Sequence, residues 1–376
     1  MSPLRRIAWP GVCLVLLAGA SEGAAPSVPK TRTYFIAADT VSWDYVPGSR
    51  DEIAGAAYVD SAFFGRGPSR PVSTVYHKVL YREYTDSTFH TLKTRPARWE
   101  HLGFLGPLIR AVVGDTIRVV FRNQADRPYS VHPHGVLYDK ASEGAPYSDG
   151  TSGGDKADDG VPVGGTHVYL WPVPARAGPG PMDGSSVLWM YHSHVDDVRD
   201  INTGLFGPMI ITARGKARAD GSPVDVDREF VASFMQVEEQ DSWLREQNFE
   251  PSIDSVFSLG PKPNPSLPQT GYPWFVKFTI NGYVHGSLPL AALTMRRGER
   301  VRWYMMSSTN DFDFHAPHWH GNTVLINGMR TDVAQLAMMQ MATANMVPDN
   351  VGTWLFHCHV SFHNEEGMAV RYRVVP

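Results

Sequence analysis

The sequence predicts an all-β protein built from two β-sandwich domains, and three observations lead to this prediction. Turn-forming residues are abundant, with 34 glycines and 29 prolines in 376 residues. Between them lie many short segments in which apolar and polar residues alternate, and almost no long stretch shows a helical period. The chain also repeats itself once, which implies two copies of one fold.

The repeat begins with a turn and a half-buried strand, at residues 114–121 and again at 298–305. In both copies a His-x-His-Gly motif follows, and later an aromatic strand that ends in a second histidine pair. The first copy carries a longer segment between its motifs, predicted as a long loop over 141–165: a lid, an interdomain contact or a solvated insertion. We therefore predict a first domain over 31–213, a linker over 214–226 where charge, Gly and Pro collect, and a second domain over 227–376.

The first 20 residues have the pattern of a secretory signal peptide. Arg5 and Arg6 precede a short apolar run, and Ala18-Gly19-Ala20 matches a cleavage site. The run is too short to span a bilayer, so we expect a secreted or periplasmic protein with no membrane span; Sec and twin-arginine export both stay open. Cys13 would leave with this segment, so that the mature chain holds one cysteine and no internal disulfide. The net charge of −4 and the lack of a basic stripe argue against a nucleic-acid partner.

Ten of the fifteen histidines fall into four clusters. They are His132 and His134; His192 and His194; His315, His318 and His320; and His357, His359 and His363. Alternate residues of a strand share one face, so each His-x-His pair can hold a metal ion from one side. One such pair is commonly a surface or core feature, but four pairs favour a metal-binding protein.

Cys358 lies between two histidines, directly after the strand-like run 352–356. In a strand its sulfur would face away from the side chains of His357 and His359. The segment can therefore serve two metal sites that are joined by a few backbone bonds. Cys358, His363 and Met368 with one more histidine would form the His₂Cys site with a weak axial Met that is typical of blue copper.

The order H-x-H-G, H-x-H, H-x-x-H-x-H-G and H-C-H-x₃-H-x₄-M resembles the copper signature of the multicopper oxidases. The resemblance covers essentially the whole mature chain, and residues 191–195 look most similar to two-domain laccases and the ceruloplasmin group. It implies two cupredoxin (Greek-key β-sandwich) domains and four coppers per chain: one type 1, one type 2 and two type 3. The implied ligands are His315, Cys358, His363 and Met368 for type 1; His132 and His318 for type 2; and His134, His192, His194, His320, His357 and His359 for type 3.

The first domain differs from the second at one decisive position. Ser193 stands where the second domain has its cysteine, and residues 195–199 contain no further histidine. The first domain therefore cannot hold a blue copper, and each domain contributes four histidines to the cluster. The resemblance to two-domain laccases implies a homotrimer with clusters between subunits.

The implied activity is one-electron oxidation of phenolic or aromatic donors or of metal ions, coupled to four-electron reduction of dioxygen to water. Cys358 would pass the electron towards His357 or His359, and the axial Met368 suggests a moderate reduction potential. Dioxygen reduction consumes protons, so we expect a carboxylate near the cluster. The candidates are Glu143 and Asp196, with Asp197 beside the latter; Tyr138 is a candidate redox-active phenol or a packed aromatic residue.

The electron donor has alternatives. The chain could be a metal-ion oxidase that acts on Cu(I) or Fe(II), in copper resistance or iron handling. Phe362 stands where ferroxidases of this family commonly carry Asp, although Asp311, Asp313, Glu365 and Glu366 flank the ligands. The methionines of 338–341 could bind Cu(I) or pack in the core.

Two further functions explain fewer of the motifs. A copper nitrite reductase would keep its blue copper in the first domain, which Ser193 argues against. An electron-transfer or copper-storage protein would leave the eight cluster histidines unexplained.

Overall fold

The computed structural model describes residues 28–58, 73–248, 276–308 and 313–376. They form an all-β protein with two cupredoxin-type β-sandwiches, which confirms the predicted fold class. The predicted signal peptide and Asp311 lie outside the described residues. Among the helices that are described, none is long and apolar enough to cross a membrane.

The first sandwich consists of two four-stranded sheets. Its strands are β1 (Thr31–Asp44), β2 (Arg50–Asp51), β3 (Ala56–Ala57), β4 (Val75–Tyr84), β5 (Ile109–Val112), β6 (Thr116–Asn123), β7 (His132–Pro133), β8 (Thr166–Pro172), β9 (Ser186–His192) and β10 (Phe206–Thr212). The first sheet has the order β4-β1-β6-β8 and the second sheet the order β5-β10-β9-β7, while β2 and β3 form a separate hairpin.

The second sandwich repeats this plan with a larger inner sheet. Its strands are β11 (Arg228–Glu238), β12 (Val276–Ile280), β13 (Thr294–Arg296), β14 (Val301–Ser307), β15 (Phe314–His315), β16 (Pro317–Trp319), β17 (Val324–Ile326), β18 (Met329–Thr331), β19 (Leu336–Ala337), β20 (Met341–Met346), β21 (Gly352–Cys358) and β22 (Ala369–Val375). The third sheet has the order β12-β11-β14-β20-β17-β18 and the fourth sheet the order β13-β22-β21-β16, while β15 pairs with β19.

Strand pairing shows the internal repeat. The opening strand of each sandwich runs parallel to the strand that the sequence repeat identified: β1 pairs with β6, and β11 with β14. The closing strands β10 and β22 each pair in parallel with a short strand, β5 and β13. The two copies therefore share one topology.

The described helices are short: α1 (Asp197–Thr203), α2 (Arg245–Asn248) and α3 (Ser361–Glu365), with 3₁₀ turns at Ala97–Leu102, Lys140–Ser142, Gly153–Lys156, Ala175–Ala177, Glu239–Asp241 and Leu290–Leu293. Helices α1 and α3 follow the second histidine motif of each domain. The side chain of Asp196 caps α1 by accepting a hydrogen bond from Arg199 N at 3.2 Å.

The four sheets are stacked in numerical order. One apolar core lies between the first and second sheets and another between the third and fourth. A third core joins the second sheet to the third, through Leu188 and Met190 on one side and Val231 and Tyr304 on the other. Because stacked sheets lie about 10 Å apart, the second and fourth sheets are separated by about 20 Å.

The connecting segments are ordered where they are described. Residues 214–226 form turns with a bridge between Ala217 and Pro223, and the domain boundaries placed around them stay predictions. The loop 141–165 lies beside His132 and is held by ion pairs, among them Lys156 with Asp149 at 2.9 Å and with Asp159 at 3.1 Å.

Candidate metal centres

The structure gathers the predicted ligands into three groups, and within each group the ligand atoms lie within 4.8 Å of one another. The groups are His132, His134 and His192; His318, His320 and His357; and His315, Cys358 and His363. His194 joins the first group by its ring contact with His132 at 5.2 Å, and His359 joins the second by its contact with His318 at 5.1 Å. We call the two all-histidine groups the first and second half-clusters.

The third group is a buried site at the end of β21. Cys358 is fully buried, and its sulfur lies 3.5 Å from His363 Nδ1 and accepts a hydrogen bond from Ala316 N at 3.3 Å. Met368, also fully buried, follows α3 and donates its backbone N–H to His363 O. One thiol, two imidazoles and a thioether are the donor set that suits blue copper.

A single carboxylate touches both imidazoles of this buried site. Asp313 Oδ2 lies 3.3 Å from His315 Nε2, and Asp313 Oδ1 lies 3.3 Å from His363 Nε2. A carboxylate at the outer ring nitrogen keeps a proton there and leaves Nδ1 for a metal. Sequence analysis identified Asp313 only as a flanking acid, because the shared contact depends on how β15 and α3 pack.

Burial sets the protonation of these residues. It lowers the pKa of several predicted ligands to about 3 (His134 and His315) or about 4 (His132, His357 and His363). These imidazoles are neutral at pH 7 and so are available as ligands. Burial also raises the pKa of the Cys358 thiol to about 11, so that metal binding must displace its proton.

The first half-cluster is assembled by the pairing of β7 with β9. His132 lies opposite His192 in this ladder, and His134 Nε2 lies 3.1 Å from His192 Nε2. His132 Nδ1 is 2.6 Å from the carbonyl oxygen of Glu143, so this ring nitrogen donates and Nε2 is left for a metal. An open pocket lined by His132, His134 and Tyr138 leads to the group.

The second half-cluster has the same construction in the pairing of β16 with β21. His318 lies opposite His357, with His318 Nδ1 and His320 Nε2 each 3.1 Å from His357 Nε2. His357 Nδ1 donates to Cys358 O at 2.7 Å. Asp332, which sequence analysis missed, places a carboxylate oxygen 3.7 Å from His318 Nε2.

Each His-x-His-Gly motif ends in a glycine that lies against a tryptophan. Gly135 and Gly321 have φ of +78° and +74°, and a Cβ at either position would overlap the indole of Trp189 or Trp354. Each tryptophan precedes the second histidine pair by three residues. The spacing W-x-x-H was therefore a signal for this packing that sequence analysis did not use.

The candidate proton donors have different contacts in the structure. Asp196 caps α1, whereas Asp197 Oδ1 lies 3.1 Å from His192 Nδ1. Burial alone would raise the pKa of Asp197, but the contact with His192 brings it below the usual value. The Glu143 carboxylate is paired with Lys140 at 2.6 Å, while its backbone carbonyl contacts His132. The ring of Tyr138 is 5.7 Å from the ring of His132.

The two half-clusters do not meet within one chain. No hydrogen bond or ring contact between described atoms joins the histidines of the second sheet to those of the fourth. The stacking of the sheets explains this, because the third sheet lies between them.

Comparison with known proteins agrees with this donor set. Residues 101–216 and 262–376 each match a family described as Multicopper oxidase. Ferroxidase HEPHL1 of Mus musculus is 38% identical over 379 residues, covering 97% of this chain and 31% of that protein. Ceruloplasmin of Homo sapiens is 37% identical over 355 residues, covering 91% and 32%. The chain thus spans about a third of the length of these relatives.

Solved structures show the same fold. A blue copper oxidase from Nitrosomonas europaea superposes with a TM-score of 0.57 at 15% identity, over 92% of this chain and 86% of that one. At this identity the likeness supports the fold alone, whereas the matches to relatives carry the family. The chain belongs to the multicopper oxidases, copper-dependent oxidoreductases, and is related to ceruloplasmin.

Proposed function

We propose that this chain is a metal-ion oxidase that takes single electrons from Fe(II) or Cu(I) and couples them to reduction of dioxygen to water. The observation that carries the donor class is Asp313, whose carboxylate touches both imidazoles of the buried Cys358 site. Its negative charge beside the electron-accepting site favours the approach of a cation over that of a neutral donor. The name of the relative Ferroxidase HEPHL1 supports the same class.

The roles of the residues follow from their positions. Copper bound at the buried site and at paired half-clusters, four ions per chain, would supply the redox chemistry. His315, Cys358, His363 and Met368 hold the buried site. Cys358 is joined through the backbone to both His357 and His359, which is the shortest covalent route between the two kinds of site.

Two acids support proton supply to the cluster, since Asp197 contacts His192 and Asp332 lies near His318. Glu143 contacts His132 only through its backbone carbonyl, and its carboxylate is paired with Lys140. We place Asp197 ahead of Asp196 because the Asp196 side chain is engaged as a helix cap. Reduction of dioxygen consumes protons, so a carboxylate within reach of the ligands is required.

Aromatic donors are the second candidate class, and an exposed aromatic residue favours them. Phe314 is 63% exposed although its neighbour His315 is fully buried, and the ring of Phe362 lies 4.2 Å from the ring of His363. A phenol stacked on Phe314 would be close to the electron-accepting imidazole. Two methionines of the 338–341 run, Met339 and Met341, pack against the core between the second and third sheets, which supports core packing for this run.

A donor panel on copper-loaded protein distinguishes the two classes. We expect kcat/KM for Fe(II) or Cu(I) to exceed that for 2,6-dimethoxyphenol, and Phe314→Ala to leave metal-ion oxidation unchanged. Phenol turnover that exceeds metal-ion turnover, and that Phe314→Ala removes, would overturn the metal-ion proposal and support the laccase-like alternative. Two coppers per chain with nitrite turnover would instead support a nitrite reductase, and copper binding without dioxygen uptake a non-enzymatic protein.

We propose that the cluster forms between copies of the chain, in a homotrimer. The supporting observation is that one chain presents two half-clusters on sheets about 20 Å apart, each with four histidines and no contact to the other. Leu137 and Tyr138, beside the first half-cluster, are 42% and 38% exposed, as expected of side chains that a partner covers. Head-to-tail contact of unlike surfaces generates a ring when the rotation between copies closes.

Complementation between variants tests this assembly. His132→Ala damages only the first half-cluster, and His318→Ala only the second. Co-expression of the two variants should restore dioxygen uptake, because a mixed ring contains an interface at which both half-clusters are intact. Light scattering should show three copies of the chain. A fully active monomer, or no recovery in stable mixed trimers, would refute the assembly.

We also propose export from the cytoplasm, on the pattern of residues 1–20. Sequencing the N-terminus of protein recovered from the periplasm or medium tests it. A cytoplasmic protein that retains Met1 to Ala20 would contradict it.

A further inference from the structure

The first domain retains the outline of a blue-copper site in which other residues replace the ligands. Ser193 Oγ accepts a hydrogen bond from Ser130 N at 3.1 Å, just as Cys358 Sγ accepts one from Ala316 N at 3.3 Å. Each donor lies two residues before the first cluster histidine of its domain. The Ser193 hydroxyl therefore occupies the position that the sulfur occupies in the second domain.

A buried carboxylate takes the place of the histidine on the following helix. Asp200, on α1, is 1% exposed, and its Oδ2 accepts hydrogen bonds from Ser193 Oγ at 2.6 Å and from Val195 N and Asp196 N at 3.1 Å each. In the second domain the partner of the sulfur at this place is His363, on α3. The vacated site thus holds a carboxylate surrounded by donors.

The fourth donor comes from the second domain. Trp243, in the segment after β11, donates its indole N–H to Asp200 Oδ1 at 2.9 Å. The guanidinium groups of Arg127 and Arg199 lie 4.2 and 4.5 Å from the centre of its ring. Its backbone N–H donates to Thr203 Oγ1 at 2.9 Å, which ties the same segment to the end of α1.

These contacts lead directly to the first half-cluster. Ser193 is flanked by His192 and His194, and Ser130, whose N–H binds Ser193, also accepts a hydrogen bond from His194 N at 3.0 Å. We infer that Asp200 and Trp243 are positioning residues through which the second domain sets the geometry of the His192-Ser193-His194 turn. The inference rests on the proposed binding of copper by the half-clusters.

Burying the charge of Asp200 costs free energy. A carboxylate withdrawn from water is stable only when its hydrogen-bonding capacity is satisfied. Asp200 is satisfied only when the turn, α1 and the Trp243 segment are all in place. The carboxylate therefore couples the shape of the turn to the docking of the second domain.

The test compares Trp243→Phe, which removes the indole N–H and leaves a smaller aromatic ring, and Asp200→Asn with a matched control. In Trp43→Phe the chain also loses an indole hydrogen bond between the domains, from Trp43 Nε1 to Gly282 O at 2.7 Å, but away from the half-cluster. Copper per chain, the type 2 electron paramagnetic resonance signal and the blue absorption are followed during chelator titration of each protein.

We expect Trp243→Phe and Asp200→Asn to weaken retention of cluster copper by about 10-fold to 100-fold, with the blue absorption unchanged and the control identical to wild type. Equal retention in Trp243→Phe and wild type would overturn the inference, as would parallel loss of blue and cluster copper. Asp200→Asn is informative only if the variant folds. Trp243→Phe changes a half-buried side chain and leaves Asp200 in place, and Trp43→Phe controls for the smaller ring. Wild-type protein that binds no cluster copper would instead refute the proposed function.

Discussion

Replacing Gly321 by Ala tests how tightly the second half-cluster is packed. Gly321 follows His320, has φ of +74°, and an added Cβ would lie 2.5 Å from Trp354 Cδ2. A left-handed conformation costs a non-glycine residue about 1–2 kcal/mol, of which about 0.4–1 kcal/mol is offset by the less flexible unfolded chain. Overpacking against a held ring adds about 1–3 kcal/mol. We therefore expect a loss of about 2–4 kcal/mol in the free energy of unfolding.

Gly298→Ala is the matched control. Gly298 has φ of +82° in the same sandwich, and a Cβ there would meet nothing within 4 Å. It should therefore lose only the conformational part, about 1 kcal/mol. Urea unfolding of both metal-free variants, followed by circular dichroism, separates the two contributions.

The indole of Trp354 is held in place, which is why it cannot simply move away. Its Nε1 donates to Asn350 O at 3.0 Å, and Asn350 in turn contacts Gly321 O. If Gly321→Ala and Gly298→Ala destabilise the protein equally, Trp354 moves aside for the new methyl group, and the expected cost of overpacking is refuted. Gly135 and Trp189 offer the same experiment in the first domain.

The remaining predictions concern the copper sites. Cys358→Ser should lose the blue absorption and oxidase activity while cluster copper is retained, as read from absorption and copper content; a surviving blue band would remove the assignment. His192→Ala and His318→Ala should each abolish dioxygen uptake and keep the blue absorption, and the reverse pattern would mean that the sites are exchanged. Asp313→Asn should raise the blue-site reduction potential, because the carboxylate favours the oxidised ion; a tenfold shift in the equilibrium is about 59 mV, and the exposed Glu365→Gln should show no shift by potentiometry.

The sequence alone determined the fold class and which residues come together locally. Three local properties do not depend on how the domains are arranged. They are the two-residue spacing of histidines on a strand, the single cysteine between two histidines, and the repeat of strand and motif. The pairing of β7 with β9 and of β16 with β21 then brings the predicted histidines into the same groups. Ser193 likewise identified the first domain as the one that lacks a cysteine between its second pair of histidines.

Only the tertiary structure decided which acids touch the ligands and that the half-clusters lie apart. Asp196 and Asp197 are adjacent in sequence, yet at the start of α1 the side chain of Asp196 caps the helix and that of Asp197 contacts His192. Trp243 and Asp200 are 43 residues apart in the sequence, and no local pattern predicts their hydrogen bond. The half-clusters lie apart because the second sheet buries both of its faces, against the first and the third sheets, and that arrangement depends on apolar packing summed over whole sheets.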